Sequence, residues 1–519
     1  MDHFVRTDHA SPSQKWVIDC HPSHDLRKEL DPKRPKALAP CQFEGFREGD
    51  TMPIVKEFEV RGLFGFFDHK IPLLPTGLTI VHGPNGSGKT MILRIIHLLC
   101  SGDFEGLRSL PFDSASVTLA DGLRVHAQRS EVSSPTVRGR ASRTRPLWDI
   151  TLSGTTPDGE QLDAWTVPRV NPRRSRRLAT DSSFFIEMVL PNLQRLSDAE
   201  WFDELSAETL GAIDILSKYG EDLPPEAVEY LRTQSRPAWL EDFDGRVPTR
   251  FISAERLIQI TQPSDHEYRR EKPRIEPTVS VYARKLAAEV QVRLTELSRK
   301  SAELDRTFPD RVFNRWSESE KDQTQYIRRS ALEARLKTMQ RERQSLVRAG
   351  MAPPGELIDI GSVPNTKYAK RMLTVYLDDM KQKSSVVNHV AERVNLFLDL
   401  VNSRLMLKEL QLDEQDGFVV RTASGSVITA DKLSSGEQHE IVITYELLFE
   451  VPRDALVLID EPELSLHVHW QLQFLSDIER IRGVAPFNLL VATHSPQIVN
   501  DEWDKTVRLE RPNGGFGVT

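Results

Sequence analysis

The chain has only three cysteines, Cys20, Cys41 and Cys100, and they lie far apart. That spacing offers neither a disulfide framework nor a set of zinc ligands. No apolar run approaches the roughly 18–20 residues needed to cross a bilayer. The best stretch, Met91–Cys100, is short and carries Arg94 and His97. The N-terminus has no basic segment followed by an apolar core, so no secretory signal is expected. No internal repeat is visible. Nor does one sign of charge dominate: 68 basic residues face 76 acidic ones, for a net charge of −8. This balance excludes a uniformly basic surface but leaves room for a local basic groove. With 39% hydrophobic residues and a mean hydropathy of −0.41, these absences predict a soluble, cytoplasmic protein that does not enter membranes. The length suffices for roughly two to four domain-sized units.

Residues 1–50 are polar and rich in His, Pro and charge, and read as a flexible N-terminal arm. Ile54–Leu73 then predicts two strands around a turn at Gly62–Gly65, and Leu78–Val81 a third strand. Alternating runs at Ser116–Leu119, Leu123–Ala127 and Trp148–Leu152 predict an antiparallel layer with turns at Asp121–Gly122 and Asp158–Gly159. Two arginine-rich loops interrupt it, Val137–Arg145 and Pro168–Arg177. Asp198–Arg232 reads as helical, and Phe251–Ser253 as a strand before Ala254–Leu257. Tyr282–Val347 predicts a short helical hairpin, from apolar spacing at Ala287, Val290, Leu294 and Leu297 and again at Leu332, Leu336 and Met339. Phe308–Pro309 is expected to break it. A further amphipathic helix is predicted near Ser384–Asn402, its stripe of Val387, Val390, Val394, Phe397 and Val401 serving as core.

The chemistry concentrates in a few short segments. Gly83–Thr90 reads GPNGSGKT, between a predicted strand and the predicted helix Thr90–Leu99. Gly83, Gly86 and Gly88 let the backbone turn N–H groups toward an anion without Cβ clashes. Pro84, Asn85 and Ser87 complete the loop. Lys89 can reach the β- and γ-phosphates of a nucleotide, and Thr90 can ligate Mg²⁺. The helix adds its N-terminal partial charge. Downstream, Ala455–Ile459 is a buried-strand run that ends at Asp460 and Glu461. Asp460 is placed to help hold Mg²⁺, and Glu461 to orient and deprotonate a water. Ser435 and Gly436, within LSSGEQ, fall at the start of the helical run His439–Glu450 and form a second anion site. Leu489–Ser495 is another apolar strand, ending at His494.

LSSGEQ (Leu433–Gln438) resembles the signature of the ATP-binding-cassette class, whose common form is LSGGQ. Ser435 stands where that form has Gly, and Glu437 precedes Gln438, as in the SMC and RecF branches. His494 resembles the switch histidine of the class, and Ser465–His467 its D-loop. DEPELSLH followed by Trp470–Gln471, then ATHSPQIV, is similar to OLD-like and AAA-type ATPases of bacterial defence operons. Leu304–Phe313 resembles a segment of PtuA-like ATPases of the Septu system. The resemblance covers Phe58–Leu99 and Lys432–Leu509.

It implies an α/β P-loop ATPase head, a mixed sheet with an antiparallel β subdomain, interrupted by a short helical insertion. Its divisions would be the 1–50 arm, a first ATPase lobe at 51–275, the helical insertion at 276–350 and a second lobe at 351–519. ATP with Mg²⁺ on Gly83–Thr90 of one copy would be capped by Ser434, Ser435, Gly436, Glu437 and Gln438 of another, giving a homodimer or higher oligomer. Glu461 and His494 would be the catalytic pair. The Q-loop glutamine stays open between Gln128 and Gln259. No CxxC hook is present. The chain ends at Thr519, soon after His494, so any nuclease is expected to be a separate effector protein. The leading expectation is a nucleotide-gated switch in anti-phage defence. The alternative is a RecF- or SMC-like DNA repair ATPase that binds duplex DNA; Arg138, Arg140, Arg143, Arg145, Arg173, Arg174, Arg176 and Arg177 could neutralise its phosphates, or simply belong to solvated loops. A regulatory cassette that holds a scaffold is a third reading. The long stretch between Lys89 and Leu433 argues against a compact transport cassette.

Overall fold

The computed structural model describes the chain apart from residues 1–53, 133–146, 168–185, 187–188, 196–199, 207, 220–222, 224–230, 232–235, 262–273, 322–327, 356–363, 414–415, 465 and 510–519. The expectations for the N-terminal arm and for both arginine-rich loops therefore lie outside the described residues.

The first described strands, β1 (Val55–Leu63) and β2 (Phe67–Pro72), form a hairpin. Its turn holds Gly62, Phe64 and Gly65 at positive φ, which two glycines at that spacing make accessible. β3 (Leu78–His82) runs into the glycine loop and α1 (Lys89–Cys100). β4 (Ser114–Leu119), β5 (Arg124–Val132), β6 (Leu147–Thr155) and β7 (Trp165–Thr166) complete an antiparallel sheet of order β2-β1-β4-β5-β6-β7. The alternating runs predicted this layer.

Of the helix expected over Asp198–Arg232, Ala212–Tyr219 is helical, the part before it is corrected to strands, and 220–222, 224–230 and 232 lie outside the described residues. β8 (Leu193–Arg195), β9 (Glu200–Asp203) and β10 (Glu208–Gly211) make a small antiparallel sheet before α2 (Ala212–Tyr219). Side chains from across the unit fix it. Trp201 is fully buried, and the buried Asp203 accepts from Asn192 Nδ2, Leu205 N, Ser206 Oγ, Lys218 Nζ and Tyr219 Oη at 2.7–3.0 Å. A reading of one segment by itself does not see such a network.

β11 (Thr249–Ile252) is followed by a hairpin of β12 (Ile258–Thr261) and β13 (Arg274–Pro277). α3 (Thr278–Lys321) then runs for 44 residues, about 66 Å at 1.5 Å per residue. The break expected at Phe308–Pro309 does not occur; Pro309 lies inside the helix. Proline removes one backbone bond there, but Arg311 braces the segment. Its Nη2 donates to Leu304 O at 2.6 Å and to Asp379 Oδ2 at 2.7 Å. Asp379 belongs to α5 (Lys367–Asn402), which packs along both α3 and α4 (Arg329–Arg348). Leu332, Leu336 and Met339 of α4 bury against Leu373 and Leu377 of α5. The stripe Val387, Val390, Val394, Phe397 and Val401 is wholly buried, as its spacing predicted.

β14 (Lys408–Asp413), β15 (Gly417–Thr422) and β16 (Val427–Ile428) form a small sheet against α3. Gly417 is required there: a Cβ would sit 1.7 Å from Ala283 O. α6 (Ser435–Tyr445) continues into a π-helical turn, Glu446–Glu450. β17 (Leu456–Asp460), α7 (Val468–Arg482), β18 (Asn488–Thr493), α8 (Pro496–Val499) and β19 (Thr506–Arg508) complete the described chain.

The central sheet is parallel throughout, with order β11-β17-β18-β3-β19. Its strands read as continuous apolar runs because both faces are covered. Ile80, Val457, Ile459, Leu489 and Val491 pack toward α3, α5, α6 and α7. Val81, Leu456, Leu458, Leu490 and Ala492 pack toward α1 and the antiparallel layer. Among the described residues no helix is long and apolar enough to cross a membrane.

Candidate functional site

The register of the parallel sheet brings the chemistry-bearing segments together. Thr493 pairs with His82, and Asp460 with Ala492. The ends of β3, β17 and β18 therefore open onto one sheet edge, the carboxyl edge where such sheets bind ligands.

The glycine loop leaves β3 and starts α1. Gly86 and Gly88 have φ of 80° and 90°, and a Cβ on Gly88 would lie 2.4 Å from Leu63 Cδ2. Pro84, Asn85 and Gly86 are exposed at the loop's crest, whereas Ser87 is buried and its carbonyl lies 3.1 Å from His69 Nε2. Lys89 folds back over the loop. Its Nζ donates to Gly83 O (3.0 Å) and Pro84 O (3.2 Å), 3.4 Å from His494 Nδ1. Burial pushes the Lys89 pKa down, against the pull of Glu461, Asp460 and Glu463.

Thr90 and Asp460 meet directly: Thr90 Oγ1 donates to Asp460 Oδ2 at 2.9 Å and Oδ1 at 3.1 Å. Burial raises the pKa of Asp460, while the Thr90 bond works to lower it. A hydroxyl beside a carboxylate is the oxygen-only donor set that suits a hard divalent cation completed by water and phosphate oxygens. Thr90 and Asp460 thus fit Mg²⁺.

Glu461 follows with φ of 44°, in the left-handed region. Its N–H donates to Ala492 O at 2.9 Å. His494 Nε2 lies 3.8 Å from Glu461 Oε1. Burial and the nearby Lys89 cation lower the pKa of His494, which favours neutral imidazole.

The signature segment is built as a helix start. Ser434 caps α6 in a reciprocal box with Glu437, whose Oε2 accepts from Ser434 N at 2.9 Å. Lys408 Nζ lies 2.9 Å from both Glu437 oxygens. Burial works to raise the Glu437 pKa, but Lys408 and Ser434 hold it below the ordinary carboxylate range. Gln438 Nε2 donates to Leu433 O (2.8 Å) and Asp431 O (3.1 Å). Glu437 and Gln438 therefore shape the turn, and Ser434, Ser435 and Gly436 are left facing outward or partly so. Among the described residues no hydrogen bond or ion pair joins Ser434–Gln438 to Gly83–Thr90 within the chain.

Among the described residues neither Q-loop candidate bonds to the site. Gln128 donates to Asp113 O at 3.2 Å and Gln259 to Tyr282 Oη at 3.1 Å. Of the expected D-loop, Ser465 lies outside the described residues, and His467 caps α7, accepting from His469 N at 3.3 Å.

Two residues of this edge escaped the sequence reading. Glu463 Oε1 accepts from His494 N (2.7 Å) and Ser495 N (3.2 Å), tying the Asp460 turn to the end of β18. Its place three residues after Asp460 was the available signal. The other is the buried Arg256, which donates to Glu461 O at 3.2 Å; nothing local in the sequence marks it.

A parallel sheet with this loop at β3 and paired acids ending β17 defines a P-loop α/β ATPase head. The chain belongs to the family described as "AAA domain, putative AbiEii toxin, Type IV TA system", whose profile matches residues 227–500, more than half its length. A second AAA-domain profile matches residues 58–167. No curated protein matches by sequence. Similar solved structures include an Smc head bound to the C-winged helix domain of ScpA, with 11% identity, coverage of 89% of this chain and 95% of that one, and TM-score 0.30. The SMC head domain from Thermotoga maritima gives 12%, 86%, 92% and 0.27. An Smc head with coiled coil and joint derived from Pyrococcus yayanosii gives 14%, 89%, 96% and 0.29. With scores this low, the fold class rests on the sheet order and loop described above.

Proposed function

We propose that this protein binds and hydrolyses ATP with Mg²⁺ and acts as a nucleotide-gated dimeric switch. The observation that carries the proposal is the meeting of Thr90 with Asp460 beside Lys89, Glu461 and His494 at one sheet edge. Lys89 would exchange the carbonyls of Gly83 and Pro84 for phosphate oxygens. Thr90 and Asp460 would hold Mg²⁺, which neutralises phosphate charge when bound. Glu461 would take the proton of the attacking water, with the neutral His494 orienting water or phosphate. Ser435 and Gly436, at the start of α6 and unconnected to their own chain's loop, would cap nucleotide on a second copy.

The family description, which names a toxin of a type IV toxin–antitoxin system, and the sequence resemblance to defence ATPases support a role in anti-phage defence. There the switch would control a separate effector such as a nuclease. The alternative, direct duplex-DNA binding in repair or maintenance, is favoured by the arginine runs at 137–145 and 168–177.

Steady-state ATP hydrolysis with and without duplex DNA tests both readings, with Glu461→Gln as control. Turnover that falls about 100- to 10,000-fold in the control, with ATP still bound, is expected for loss of a general base. A control as fast as the native protein would reject Glu461 as the base. Stimulation by DNA that weakens with salt would support the alternative, and turnover indifferent to DNA the partner-controlled switch.

A further inference from the structure

We infer that Arg256 is a positioning residue for hydrolysis, fixing the backbone conformation from which Glu461 reaches the attacking water. The inference rests on the role proposed above for Glu461.

Ile252 pairs with Ile459, so the segment leaving β11 runs beside the end of β17. Ser253 Oγ donates to Glu255 O at 3.0 Å, shaping a turn. The turn delivers Arg256, only 5% exposed, to Glu461, 205 positions away, where Nη2 donates to the backbone carbonyl at 3.2 Å.

Glu461 needs such a tether. At φ 44° it occupies a region that residues bearing a Cβ rarely adopt, and such conformations persist only where the surroundings over-determine them. Three bonds do so here. Glu461 N–H donates to Ala492 O at 2.9 Å, and its carbonyl accepts from Leu464 N at 3.2 Å as well as from Arg256. The first two are backbone bonds, available to any side chain. Arg256 alone is a side-chain choice.

A purely structural arginine at this depth would be expected to saturate its donors. Arg256 does not: Nε and Nη1 have no hydrogen-bond partner among the described residues. Among the described residues its side-chain bond goes to the proposed base. Burial pushes its pKa down to about 10, against the fields of Glu446, Asp460, Glu463 and Glu440, so it is charged at neutral pH. It thereby also places a fixed positive charge behind the acids that end β17.

The test uses the full chain as native protein, Arg256→Gln, Arg256→Lys, Glu461→Gln and the Arg256→Gln/Glu461→Gln double variant. ATP turnover, affinity for a fluorescent ATP analogue and melting temperature are measured for each. Arg256→Gln is expected to lower kcat about 10- to 100-fold, the range for loss of a supporting residue, while nucleotide affinity changes less than about threefold. In the Glu461→Gln background the same substitution should change turnover less than about twofold, because both residues act on one step. Arg256→Lys keeps the buried charge but loses the planar fork; it should melt like the native protein yet turn over slowly, and it decides the matter if Arg256→Gln folds poorly. Native turnover in folded Arg256→Lys, or an Arg256→Gln effect that multiplies fully with Glu461→Gln, would overturn the inference and leave the ATPase reading intact. A native protein that hydrolyses nothing would overturn both.

Discussion

Thr90 and Asp460 lie 370 positions apart in sequence, and the Thr90 hydroxyl donates to both oxygens of the Asp460 carboxylate. This is the point where the glycine loop and β17 become one site. Asp460→Asn keeps an acceptor for Thr90 but removes the charge that would face a divalent cation. ATP affinity of this variant is expected to lose its dependence on Mg²⁺, falling at least about tenfold at saturating metal, one charge-assisted contact's worth. A Mg²⁺ titration of nucleotide binding checks this, and a native-like titration would reject Asp460 as a ligand.

Lys89 makes the opposite test of the same loop. Its ammonium rests on the Gly83 and Pro84 carbonyls and its stem is buried, so removing it deletes a charge together with some packing. Lys89→Ala is expected to weaken ATP binding by about 10- to 100-fold, the range for a hydrogen bond to a charged group. Calorimetry measures it, with a melting curve to show that the fold survives.

The start of α6 depends on Glu437 held by Ser434 and Lys408. Glu437→Ala removes the capping box and should cost about 0.5–2 kcal/mol of stability, read as a lowered denaturant midpoint. Lys408→Met should act in the same direction by leaving a largely buried carboxylate without its cation. If this helix start caps nucleotide on a second copy, both variants should also reduce ATP-dependent dimers, scored by light scattering in the Glu461→Gln background. Native dimer formation by the destabilised variants would separate α6 from the interface.

His439, on the buried side of α6, gives a pH signature. Burial, and then the neighbouring Arg256 cation, lower its pKa from an ordinary 6.5 to about 4. Between those values the unfolded chain binds a proton that the folded protein refuses, so this contribution to stability is whole above pH 6.5 and is lost as pH falls toward 4. Melting temperature should therefore decline less steeply over that window in His439→Gln than in the native protein. Parallel curves would show that His439 does not carry the effect.

The residues legible in sequence were those whose neighbours along the chain define them. Gly83–Thr90 carries its own backbone requirements, and Asp460 follows a strand whose apolar run already says that both faces are covered. The Val387–Val401 stripe needs only the 3.6-residue period to predict its burial. The helical expectation failed over Glu200–Gly211, where the buried Asp203 collects donors from Asn192 to Tyr219. The expected proline break failed at Pro309, where Arg311 bonds both Leu304 O and Asp379 of α5. Sequence alone marked the glycine loop, the acids at the end of β17 and the apolar faces, because these follow from local spacing and from the conformational freedom of glycine. Only the tertiary structure decided that Thr90 would meet Asp460, that Glu463 would hold the backbone of His494 and that Arg256 would reach Glu461. Those contacts exist because a parallel sheet aligns strands hundreds of residues apart, and no spacing within a single segment encodes that register.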